Sequence, residues 1–88
     1  MNLKTDLSNE LDLLNVSYKD LFSLLEFIRT EYGYDIWVAP DWPYDKKIYQ
    51  YNIENLEKEY KPYYHIGEYQ TPYEACVDAI KFTIKNLL

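Results

Sequence analysis

With one cysteine, one histidine and two glycines in 88 residues, the sequence lacks the parts that several classes of function require. A lone cysteine forms no intramolecular disulfide. With a single histidine it cannot supply a zinc site of four cysteines, or of two cysteines and two histidines. A Ser-His-Asp set would have to use His65, yet Ser8, Ser17 and Ser23 all lie in the N-terminal part and fit helix caps or solvent-facing positions. Gly33 and Gly67 are too few and too far apart for a phosphate-cradling loop. No apolar run approaches the ~20 residues of a membrane span. The N-terminus also lacks the basic-then-apolar order of a signal peptide. The expectation is therefore a non-enzymatic chain with no cofactor, metal or membrane partner. It is expected in the cytoplasm, with Cys76 as a small buried hydrophobe in an apolar helical pattern.

Positive charge is also scarce. Nine lysines and arginines against 15 carboxylates leave a net charge of −6. General nucleic-acid and anionic-membrane binders need the opposite balance. Three aspartates, Asp35, Asp41 and Asp45, sit near one turn, but their spacing fits no EF-hand loop. Glu57 and Glu59 belong to a charge-rich, solvated segment.

Eleven tyrosines stand out in an otherwise ordinary globular composition. At this length folding buries only about 60–65% of the unfolded chain's surface, enough for one core and a single domain over residues 1–88. Leu7, Leu11 and Leu14 recur at helical spacing, so residues 1–16 read as a short extra helix or a frayed arm. Ser17, with Asp20 as an imperfect capping box, opens a predicted helix over 18–32. Its stripe is Leu21, Leu24, Leu25, Ile28 and Tyr32, and Gly33 ends it. The period then drops to two. Residues 34–39, closed by Pro40, 47–53 and 63–66 read as three strands. Thr71-Pro72-Tyr73-Glu74 combines a cap, a first-turn proline and an acidic third position, which predicts a helix over 72–87.

Short connections favour an antiparallel meander. The predicted fold is α+β: a three-stranded antiparallel meander with two helices packed on one face, in the order α-β-β-β-α. Alternation points Ile36, Val38, Tyr49, Tyr51, Ile53, Tyr64 and Ile66 at the helices. It leaves Trp37, Ile48, Gln50, Tyr63 and His65 on the open face, joined by Tyr69 beyond the third strand. These six are the candidate binding residues, because tyrosine and tryptophan add contact area at low entropic cost. Cross-strand aromatic pairs that merely stabilise the sheet explain the same pattern. Phe27 and Phe82 fall off their helical stripes, which suggests helix–helix contact in preference to an addition to an exposed patch. The loop residues Trp42 and Tyr44 are a second candidate patch, or belong to a loop folded back over the edge of the core.

The element order resembles that of double-stranded-RNA-binding domains. Their phosphate-gripping lysines have no counterpart in Thr71-Pro72-Tyr73-Glu74-Ala75, so that function does not carry over. Over residues 34–88, the Tyr-rich strand pair, Tyr69-Gln70-Thr71-Pro72-Tyr73-Glu74-Ala75 and the apolar helix ending Leu87-Leu88 resemble small α-β-β-β-α proteins of gut Bacteroidetes and their phages. That group has no established activity, so the resemblance implies a phage or mobile-element context and no catalytic residues. The expected function is a small acidic interaction module that binds a protein partner or a second copy of itself through the aromatic sheet face. The alternative is single-stranded nucleic-acid binding by stacking on that face.

Overall fold

Local signals set the ends of the two long helices. In the computed structural model, which describes residues 3–15, 20–41, 45–56 and 63–88 and only the backbone at 3–4, 41, 45–47 and 63–68, the first long helix is α3, Leu21–Tyr32. Its N-cap is Asp20, whose carboxylate accepts from the Ser23 backbone N–H at 2.8 Å and from the Ser23 hydroxyl at 2.9 Å. The predicted start at 18 is thereby corrected: Asp20 caps the helix itself, because an extended aspartate reaches the orphan amide of the first turn. Ser17 lies outside the described residues. Gly33 closes the helix at φ 76°, a left-handed geometry that costs a Cβ-bearing residue energy.

The final helix, α4, spans Pro72–Asn86. The Thr71 hydroxyl accepts from the Glu74 backbone N–H at 3.2 Å, and Pro72 occupies the first turn, where no donor is needed. The N-terminal segment forms two short helices, α1 (Leu3–Asp6) and α2 (Ser8–Leu14). Leu7 between them is fully buried and Leu11 nearly so, which anchors the segment in the core.

The chain is α+β, with strands β1 (Tyr34–Asp41), β2 (Asp45–Asn55) and β3 (Tyr63–Tyr69) in the order β1-β2-β3. The antiparallel β1–β2 ribbon is the continuous part, running in register from Tyr34↔Asn55 to Pro40↔Tyr49. Pro40 does not close β1 as expected. The strand lies at an edge, where a missing N–H is tolerated, and the register shifts only after Pro40. The pairing of β2 with β3 breaks between Tyr49 and Tyr51: Gln50 spans the step from His65 to Tyr69. Gly67 lies in that bulged stretch.

The register puts Ile36 opposite Ile53 and Val38 opposite Tyr51 on one sheet face. These residues meet Leu24 and Ile28 of α3 and Val77, Ile80 and Ile84 of α4 in a single core. Thr83 is fully buried, with its hydroxyl donating to the Ala79 carbonyl at 2.8 Å. The described ring contacts of Phe27 and Phe82 run within α3 and to the sheet. Phe27 meets Tyr32 edge-on, with ring centres 6.0 Å apart, and Phe82 packs on Tyr51 of the sheet at 6.4 Å.

These anchors can be tested separately. Leu7→Ala should lower unfolding free energy by about 2–5 kcal/mol in a urea titration; a change near zero would mean that the segment does not help hold the core. The Asp20 carboxyl is held below its ordinary range, first by the Ser23 backbone N–H and then by the Ser23 hydroxyl. A depressed folded-state value gives stability that is present above the unfolded value near 3.8 and lost as pH falls through the folded one. The Ser23 amide should therefore lose hydrogen-exchange protection in that acid window. Asp20→Asn should flatten the dependence.

Candidate aromatic groove beside the edge strand

The structure divides the six candidate residues. Trp37 is 47% exposed, on the sheet face opposite Ile36 and Val38. Ile48 and Gln50 are half-buried, and Gln50 pairs with Ala39 on the same side as Trp37. Tyr69 is corrected: it packs against the core, with its ring centre 6.1 Å from that of buried Tyr51. The bulge carries it to a position opposite helix-facing Tyr49. Tyr63 and His65 are corrected in register. They pair with Ile53 and Tyr51, the buried positions of β2, and it is Tyr64 that pairs with Asn52, the neighbour of Trp37. A one-residue change of pairing exchanges the two faces of a strand, and alternation alone does not give the third strand its register. The side chains at 63–68, and residues 42–44 with Trp42 and Tyr44, lie outside the described residues.

The structure brings together a different set. A groove of about 470 Å³ is lined by Leu21, Phe22 and Leu25 of α3, Ile36, Trp37 and Val38 of β1, and Pro72, Tyr73 and Cys76 of α4. Successive residues of a strand point to opposite faces. A groove touching three in a row must therefore run along the strand's edge. Phe22 stands over it with 81% of its surface exposed. Sequence reasoning passes over Phe22, although an off-stripe aromatic on an amphipathic helix is the same signal that singles out Phe27 and Phe82.

A smaller cleft of about 290 Å³ lies on the other side of Tyr73, lined by Asp6, Tyr69, Glu74, Val77, Asp78 and Lys81. The Tyr73 hydroxyl donates to Asp6 Oδ2 at 2.8 Å, tying α1 to the start of α4. Desolvation, followed by that hydrogen bond, pushes the Tyr73 phenol up to about 12. Burial pushes the Cys76 thiol up to about 11, so it stays protonated at neutral pH. A protonated, buried thiol is a poor nucleophile. Among the described residues no group of three or more metal-binding side chains assembles. No helix of the described residues is long and apolar enough to cross a membrane. The chain matches no family model, curated protein or solved structure.

The thiol supplies a direct check. Cys76 should react with a disulfide reagent at neutral pH only after denaturant is added; rapid reaction in the native protein would contradict its burial. Tyr73 makes the second. A raised folded-state value keeps its contribution intact below the ordinary tyrosine value of 10.0 and loses it as pH rises towards about 12. Tyr73→Phe should remove that alkaline component from the melting-temperature profile.

Proposed function

We propose that this chain is a small, acidic, non-enzymatic module of the cytoplasm that binds a protein partner. The observation that carries this reading is the pairing of Phe22, 81% exposed, with Trp37, 47% exposed, along one apolar groove. Exposed aromatics around a shared concavity mark recognition surfaces, because ordinary soluble surfaces keep large apolar side chains scattered. In this reading both long helices stack on one side of the three-stranded meander. The binding surface is then the rim where sheet and helices meet, with Trp37 linking the groove to the open face. The expected aromatic surface thus keeps Trp37 and gains Phe22, and Tyr69 goes to the core.

The described lining supports binding in preference to catalysis. The titratable groups of its lining are Cys76, held as a neutral thiol, and Tyr73, whose raised hydroxyl is engaged by Asp6. The reading is tested by affinity capture from host extract with the wild-type chain and a Phe22→Ser/Trp37→Thr variant. Proteins retained by the first and lost with the second are the expected result, with an unchanged melting curve for the variant. Identical capture by both would refute the groove as the binding surface. Retention of single-stranded oligonucleotides at low salt, lost on Trp37→Thr, would point instead to base stacking.

A further inference from the structure

No strand of the described residues lies on the edge of β1 that faces the groove. Among the described strands β1 pairs only with β2. An edge strand offers unpaired backbone donors and acceptors, and natural sheets usually guard such edges with lysine, proline or a bulge. From Tyr34 to Ala39, β1 has none of these and carries one charge, Asp35. The guards begin only at Pro40 and the register shift after it. The unguarded stretch is six residues, about 20 Å at strand rise. The first turns of α3 and α4 contribute to the lining, so a chain laid on this edge would meet Phe22 and Tyr73.

Among the described residues, the charged side chains next in sequence to the groove's helical lining are acidic. Asp20 precedes Leu21, Glu26 follows Leu25 and Glu74 follows Tyr73, and all three carboxylates are exposed; Lys81 lies farther off, in the neighbouring cleft that Glu74 shares with Asp6 and Asp78. The single cation of α3 and β1 is Arg29, 3.7 Å from Asp35. A second copy of the chain would bring the same acidic rim and its own net −6, a like-charge encounter that opposes self-pairing. A basic segment meets a complementary field.

Resting on the reading of the chain as a protein-binding module, we propose that the groove takes an extended segment of a partner protein, apolar at alternate positions and flanked by lysine or arginine. The segment adds to β1 as a fourth strand along Tyr34–Ala39. Main-chain hydrogen bonds to the edge supply affinity, and alternate side chains meeting Phe22 and Tyr73 supply selectivity.

The test is selection of a displayed library of random twelve-residue peptides against the full chain, followed by fluorescence titration of the enriched peptides. Enrichment of sequences with apolar residues at every second position and basic ends is expected. Phe22→Ser should weaken them about tenfold, or about 1.4 kcal/mol. A joint Asp20→Asn/Glu74→Gln change should reduce the salt dependence of binding. Backbone N-methylation along a peptide should abolish binding at alternate positions. Loss every third or fourth position would mean a helical ligand and overturn strand addition. Binding indifferent to Phe22→Ser, or no enrichment at all, would overturn the site. A two-chain mass by light scattering that Phe22→Ser returns to one chain would give the groove to a second copy. That would refute the peptide occupant while leaving the interaction-module reading standing.

Discussion

The molecule depends on one cross-strand pair. Ile36 and Ile53 face each other across the β1–β2 ribbon, and α3 and α4 close over them with Leu24, Ile28, Ile80 and Ile84. A chain this short has no second core to fall back on. Each apolar face therefore has to find the same partner surface. The N-terminal helices are drawn in by this need: Leu7 and Leu11 add apolar area that the two long helices and the sheet do not supply alone. Tyrosine does related work at the margin of the core. Tyr51 is buried against Phe82 and Tyr69, and Tyr34 and Tyr73 reach polar partners at the surface, the Leu87 carbonyl and Asp6.

Where the sequence speaks through short-range chemistry, the structure follows it closely. The glycine after Tyr32, the Thr71-Pro72 cap and the alternation through Ile36, Val38, Tyr51 and Ile53 each depend on a few neighbouring residues. All of them are legible. The α3 start is ambiguous in the sequence because Ser17 and Asp20 are both good caps. Choosing between them requires knowledge of where the chain turns onto the core. The third strand escapes for a different reason. Its face depends on pairing with β2, and a bulge at Ile66–Glu68 sets that pairing non-locally.

The candidate site divides along the same line. Trp37 is legible because strand parity is local. Phe22 is not, because its meaning comes from what lines the same groove: the edge of β1 and the first turn of α4. A lone off-stripe phenylalanine has no such context in one dimension. Tyr69 joins the open face only by its proximity in sequence to the third strand, whereas the bulge turns it towards Tyr51. Clefts are made by elements distant in the chain, and a linear pattern registers them poorly.

The junction at Gly33 has a mechanical result. One residue separates the last turn of α3 from the first residue of β1, and the Gly33 carbonyl also accepts from the Leu56 N–H at 2.8 Å. Helix and strand are therefore joined without slack and bolted to the far end of β2. At this end the spacing of α3 from the sheet is set by covalent geometry, and the core contacts of Ile28 and Leu24 carry that spacing along the helix towards Phe22.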